Sequence, residues 1–438
     1  YGLLDAFNWR TDPYAVHSGK NRAMRPEVNE KLLSKNPKGI VIGKFKGRYV
    51  VNDPMEGGAH HSLILGSSGC GKTSSVILPS VLVKGCTRFV VDIKGEISKK
   101  GEYLDDPDVQ IINPLDRHSY GYDPLYRLKS DATEQDIIDT LNNIMFSIMP
   151  INASEKNPFW SESTRNMFMG FGLFYVRNGI RNFIELTDEI LQKPIKEAVE
   201  AVMNEADVNS PEYRYIVKFS DMADETLSGV YGQLSNALTL FSNDMNIRHM
   251  LGDNPLKINP KSLNDGKSIY LVIPEEKLSQ YAPVLHLVTN QVISEMELRP
   301  EKSEPVMLII DELARITSTG KLHKLMDASA TLRSRNVSLV LVSQSIEALE
   351  NAYTKAEVSA LVTNMPYKII LEASSSSTQR DIIGWCGKYR EYKETLGKNG
   401  KGTSRSTTYE EKDIVNAADL MALPTTGEAI LISPYGYN

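Results

Sequence analysis

The chain has 438 residues, 41% hydrophobic and 24% charged, with a net charge of −6. That length implies two domains or one domain with a large insert, and the net negative charge argues against a nonspecific nucleic-acid binder, which neutralises phosphate with Lys and Arg. No run of about 18 apolar residues is present, so no membrane span is expected, and Cys70, Cys86 and Cys386 lack any metal or CxxC spacing, so the composition reads as a soluble globular protein in a reduced cytoplasmic setting.

Residues 1–36 show no period and read as an irregular lead-in. The chain begins at Tyr1 rather than Met, which suggests a piece of a longer protein and leaves an upstream membrane anchor open. Two β-rich pieces, GIVIGKF and GRYVV between Gly39 and Val51, predict a hairpin. The apolar strand HSLILG runs into GSSGCGKT, Gly66 to Thr73, which fits GxxxxGK(S/T), and the helix-compatible SSVILPSVLV follows. In that arrangement Gly66, Ser67, Ser68, Gly69, Cys70, Gly71, Lys72, Thr73 and Ser74 surround the phosphates of ATP at a helix N-terminus. Lys72 reaches the β- and γ-phosphates and Thr73 meets Mg2+.

RFVVDIKGEISKK, Arg88 to Lys100, is a buried strand ending in Asp92. A dinucleotide site places its ribose acid about 20 residues beyond the glycine loop, but GxGxxG is absent here. The short strand VQIINPL, Val109 to Leu115, comes next. From Thr133 to Asn254 long amphipathic stretches such as EQDIIDTLNNIMFSIM predict an all-helical segment. Its charge is distinctive: Thr133 to Met250 holds 17 acidic and 9 basic residues, so the acidity of the chain belongs to this segment.

Strands return as SIYLVIP, PVMLIIDE, SLVLVSQ, YKIILEA and EAILISP, separated by helical segments. The alternation predicts an α/β fold with a mostly parallel sheet covered on both faces. A nucleotide-binding domain of residues 37–132 and 255–438, interrupted by an all-α domain at 133–254, is the expected division. The polar run Lys388 to Lys412 reads as a mobile loop able to contact a partner.

ATP hydrolysis also needs an acid on a neighbouring strand for the metal's water shell and a group that orients the attacking water. In VMLIIDELA the apolar run Met307 to Ile310 delivers Asp311 and Glu312 together; Asp311 then serves Mg2+ through water, and Glu312 polarises the nucleophile. A helix N-terminal cap is the alternative use of the same pair. Gln344 ends the strand SLVLVSQ, where an amide can donate to the γ-phosphate and accept from water. Arg333 and Arg335, just upstream, are candidates for an arginine finger into a neighbouring subunit or for solvated surface charges.

Taken in order, GSSGCGKT, DIKGE, NPLD at Asn113 to Asp116, NPFWSESTRNMF, LIIDELARI and LVLVSQSIEAL resemble the coupling proteins of type IV secretion and bacterial conjugation, from about Lys38 to the C-terminus. The resemblance implies a RecA-like P-loop nucleotide-binding domain with an inserted all-α domain. It also implies ATP and Mg2+ as cofactors, a homohexamer on activation, and an N-terminal membrane anchor at the cytoplasmic face of the bacterial membrane. Relaxase-bound single-stranded DNA and the type IV secretion channel are the implied partners. Lys72, Thr73, Asp311, Glu312 and Gln344 keep the roles argued from their chemistry, and Arg333 matches the position of a proposed finger. Ile93 stands where the family usually has Pro, and DELAR replaces the more usual DEFAN. For DIKGE two readings stand: Asp92 contacts the metal's water shell, with Lys94 and Glu96 reporting nucleotide state, or the loop is a structural turn. The acidic helical segment either attracts basic partner surfaces or is a solvated face. Two alternative functions share these motifs: an FtsK-like double-stranded DNA translocase, and a nucleotide-dependent adaptor without motor activity.

Overall fold

The computed structural model describes residues 5–9, 26–27, 30–53, 60–83, 85–99, 106–150, 157–399 and 402–434, with side chains described outside 5–27 and 389–408. The chain divides into two compact units. The first comprises Tyr1–Cys86, Glu301–Arg315 and Ser329–Asn438, the second Thr87–Pro300 and Ile316–Ala328.

The first unit opens with strands β1 (Asp5–Trp9), β2 (Pro26–Glu27), β3 (Leu33–Ser34), β4 (Ile40–Phe45), β5 (Arg48–Asn52) and β6 (Ser62–Leu65). β1 lies inside the stretch read as an irregular lead-in. Its five residues are too few to show a period, and its pairing with distant strands supplies the order that its own sequence does not announce. β4 and β5 form the expected hairpin, turning through Lys46 and Gly47, both at positive φ, as a two-residue turn that matches strand twist requires. After β6 and the glycine loop, a wide helical turn, Lys72–Ile77, continues into α1 (Leu78–Leu82).

The second unit begins with β7 (Thr87–Asp92), α2 (Glu96–Lys99), β8 (Val109–Ile112) and β9 (Gly121–Tyr122). Helices α3 (Glu134–Ile148), α4 (Phe159–Arg177), α5 (Phe183–Gln192), α6 (Ile195–Glu205), α7 (Pro211–Ser220), α8 (Asp224–Asn243) and α9 (Met245–Arg248) follow. Every described element from Glu134 to Asp253 is helical. α3 starts at a reciprocal cap, Thr133 with Asp136, which satisfies two backbone donors at once. α4 is buried along most of its length, and a Cβ at Gly170 would lie 2.5 Å from Ile216 Cγ1 of α7, so the glycine sets how closely those helices approach. Phe183 and Phe241 meet edge to face at 5.2 Å and tie α5 to α8.

β10 (Lys257–Ile258) pairs with β9, and β11 (Ser268–Val272) lies parallel between β7 and β8. α10 (Leu278–Glu297) then joins the strand and helical parts of this unit through polar contacts. Asn143 donates to Ser294 Oγ at 2.6 Å and Asn290 to Ser147 Oγ at 3.2 Å, while Tyr122 donates to Gln291 Oε1 and Arg127 to Glu295. Such a network favours one arrangement, since a slip would strand further buried polar atoms.

The rest of the first unit carries β12 (Val306–Ile310), α11 (Leu313–Thr317), α12 (Leu325–Thr331), β13 (Val337–Ser343), α13 (Lys355–Thr363), β14 (Tyr367–Ile370) and α14 (Ser376–Cys386), with α11 and α12 shared at the boundary. β15 (Lys388–Asn399), β16 (Gly402–Asp413), α15 (Ala417–Thr426) and β17 (Glu428–Ile432) complete it. Its sheet runs β3-β5-β4-β1-β17-β14-β6-β13-β12, with β14, β6, β13 and β12 parallel. Lys388–Lys412, expected as a loop, is instead the antiparallel pair β15 and β16 in continuous register from Lys388↔Asp413 to Asn399↔Gly402. The amino-acid sequence of this run lacks the apolar alternation that announces a strand; Asn399-Gly400 was the available hairpin signal. Among the described residues no helix is long and apolar enough to cross a membrane.

Candidate nucleotide-binding site

β13 lies between β6 and β12, and β14 flanks β6 on the other side. Leu65 is level with Ser343 and with Ile370, and Ile310 with Leu341, so four carboxyl ends meet along one edge of the sheet. Open parallel sheets bind ligands at this edge, because only there do loops and helix N-termini converge.

The loop from Gly66 to Thr73 leaves β6 with Gly66 N–H donating to Ser343 O at 3.3 Å. A Cβ at Gly66 would lie 2.4 Å from Cys70 Sγ and 3.4 Å from Leu371 Cβ, so that position has no room for a side chain. Gly69 and Gly71 have φ of 85° and 95°, where other residues are strained. The Lys72 side chain is 4% exposed, and its ammonium donates to Gly66 O and Ser67 O, both at 2.8 Å. Ser74 Oγ donates back to Gly71 O at 3.3 Å. Burial pushes the Cys70 thiol up, with the Lys72 charge beside it acting the other way.

Thr73 Oγ1 donates to Asp311 Oδ2 at 3.1 Å, across 238 residues of sequence. Asp311 Oδ1 accepts from the Glu312 N–H at 2.9 Å, and Glu312 itself holds φ at 53°. A non-glycine residue in that region costs on the order of 1 kcal/mol or more, which the fold bears in order to turn two adjacent carboxylates at one strand end. Both are 3% exposed. Gln344, exposed at the end of β13, donates from Nε2 to Glu312 Oε2 at 3.3 Å. A hydroxyl next to a carboxylate is a donor set suited to Mg2+ and its water shell, and a buried carboxylate beside an amide is suited to holding a water molecule.

Not all the candidates converge. Arg333 stands exposed on the turn Leu332–Arg335 ahead of β13, so a strand of seven residues, about 23 Å, separates it from Gln344. It faces His61, whose imidazole is held down to about 4 by burial first and by the Arg333 charge second. In the second unit Asp92 is 1% exposed, and its Oδ2 accepts the N–H groups of Ile97 at 3.0 Å and Ser98 at 2.9 Å. That carboxylate caps α2, which supports the turn reading of DIKGE. One residue of the first unit was missed in the sequence: Glu372, just past β14, accepts a hydrogen bond from Ser67 Oγ of the glycine loop. The readable signal was again an acid after an apolar run, Ile369 to Leu371.

The sequence model of the type IV secretory system conjugative DNA transfer family matches residues 15–435. The chain is similar to the protein VirD4 of Rhizobium rhizogenes, 22% identical over 381 residues that cover 80% of this chain and 53% of that protein. It is likewise similar to the type IV secretion system-coupling protein VirD4 of Bartonella quintana, 20% identical over 402 residues, with 86% and 61% covered. The chain thus spans little more than half the length of these curated relatives. Among solved structures it resembles the unbound bacterial conjugative coupling protein TrwBdeltaN70, with a TM-score of 0.64 at 17% identity over 83% of this chain and 80% of that one. The plasmid coupling protein TrwB in complex with the ATP analogue ADPNP gives 0.65 at 19% identity, with the same coverage. At such identities the likeness shows the fold: a RecA-like P-loop α/β fold with an all-α domain.

Proposed function

Since the chain belongs to the type IV secretory system conjugative DNA transfer family, we propose that it is a coupling ATPase, which recruits relaxase-bound single-stranded DNA or protein substrates and delivers them to a type IV secretion channel. The observation that carries the ATPase reading is the contact of Thr73 with Asp311 beside Glu312 and Gln344, at the edge where the glycine loop emerges. TrwB structures in complex with ADPNP and with ADP and Mg2+ support ATP and Mg2+ as the ligands.

In this reading the N–H groups from Gly66 to Ser74 hold the phosphates. Lys72 exchanges its contacts with Gly66 O and Ser67 O for the β- and γ-phosphates. Thr73 and, through water, Asp311 would hold Mg2+, which would supply neutralisation of phosphate charge. Glu312 accepts the proton of the attacking water, and Gln344, already in reach of Glu312, orients it. Arg333, distant from its own chain's site, acts as a finger on a neighbour in a homohexamer. Residues 37–132 and 255–438 form the motor and residues 133–254 the inserted domain, whose acidity favours basic partner surfaces. The assembly works at the cytoplasmic face of the bacterial membrane.

Phosphate release, measured with and without single-stranded and duplex DNA, tests the reading. Single-stranded DNA is expected to stimulate it several-fold. Stimulation by duplex alone would indicate a double-stranded DNA translocase, and ATP binding without turnover would indicate an adaptor. Turnover that survived Lys72→Ala would end the P-loop assignment altogether.

A further inference from the structure

Glu372 has no part in the roles above, yet its carboxylate accepts a hydrogen bond from Ser67, the second residue of the glycine loop. Its position is firmly set. Leu371 N–H, the donor next to it, bonds Leu65 O at 2.9 Å, and the Leu371 side chain closes on Gly66, so the end of β14 is docked to the start of the loop. The Glu372 charge is felt at the Cys70 thiol, as is the opposite charge of Lys72. Ser67 is therefore drawn from two sides, with the Lys72 cation on its carbonyl and the Glu372 anion on its hydroxyl.

A fixed anion at the rim of a phosphate cradle works against the ligand the cradle is built for. Phosphate charge repels it, and repulsion in a partly buried setting is screened less than on an open surface. We propose that Glu372 is an anionic gate on the phosphate loop, a positioning residue that weakens the binding of nucleoside triphosphate in proportion to its phosphate charge and speeds the loss of diphosphate. The gate rests on the nucleotide reading of the same loop.

The test is calorimetric titration of the whole chain with ATP, ADP and adenosine in Mg2+, comparing wild type with Glu372→Gln and Glu372→Ala. ATP should bind the variants roughly tenfold more tightly, ADP less so, and adenosine unchanged, with the gain shrinking as salt is raised. Glu372→Asp, which keeps the charge, should give no such gain, and a tenfold gain there would overturn the gate. Equal or weaker ATP binding by both uncharged Glu372 variants would overturn the gate while leaving the ATPase reading in place. A gain of the same size for adenosine would overturn it too, because a structural change and not charge would then be responsible. Failure of the wild type to bind ATP at all would remove the nucleotide reading and the gate together.

Discussion

β12 and β7 are alike as sequence: each ends in an apolar run, Val306–Ile310 or Phe89–Val91, that delivers a buried aspartate, Asp311 in one unit and Asp92 in the other. They differ in what the next residues do. After Asp311 the chain kinks at Glu312, which holds a positive φ, and Asp311 Oδ2 accepts from Thr73 on another strand's loop. After Asp92 the chain passes through Gly95, also at positive φ, into α2, and Asp92 Oδ2 is taken up by the backbone of Ile97 and Ser98. An acid at a strand end is thus no indicator of chemistry until the following turn is known. A carboxylate that satisfies its own backbone is structural, and one that meets a distant side chain can serve a ligand.

Substitutions made in parallel would break or sharpen that comparison. The largest effect is expected for Glu312→Gln, which should lower turnover by roughly 10²- to 10⁴-fold while ATP still binds, since only the proton acceptor is lost. Asp311→Asn should cost about 10²-fold in Mg2+-dependent phosphate release with little change in thermal stability. If instead it melted the protein and spared turnover, Asp311 would belong with Asp92.

Next in size is an acid effect that each unit reports separately. Burial holds His61 in the first unit and His286 in the second near a pKa of about 4, below the ordinary 6.5. Between those values the unfolded chain takes up more protons than the folded one, so stability falls as pH drops from 6.5 to 4. The loss is about 3 kcal/mol for each imidazole. Denaturant unfolding across this window should show the loss, and His61→Asn or His286→Gln should each reduce it by that imidazole's share, leaving the part due to His323, which burial likewise holds down to about 4. A profile unchanged in both variants would show that neither imidazole is held neutral.

Asp92→Asn carries the smallest effect. An amide oxygen still accepts one hydrogen bond, and losing the charge-assisted cap should cost about 1 kcal/mol, seen as a melting point lower by a few degrees. Turnover should stay within about threefold of wild type. A large loss of turnover without a loss of stability would restore the water-shell role for Asp92.

Much of this is legible in the amino-acid sequence. GSSGCGKT announced its own backbone, because three glycines, a strand before and a helix after are local requirements that a short stretch can meet alone. The helical character from Glu134 to Asp253 was readable for the same reason, as a 3.6-residue period is written into neighbouring residues. The polar hairpin β15 and β16 was not readable as strands, because no apolar face marked its alternation. Glu372 escaped notice because its partner, Ser67, lies 305 residues away in the chain.

By itself the sequence determined the apolar strands and the amphipathic helices, where a glycine loop stands, and which acids end buried strands. Only the tertiary structure decided that β13 runs between β6 and β12, that Thr73 meets Asp311, that Gln344 meets Glu312, and that Arg333 stands at the far end of its strand from both. The physical reason is that propensity and periodicity act over a few residues, whereas the partner of a carboxylate is chosen by strand order and register.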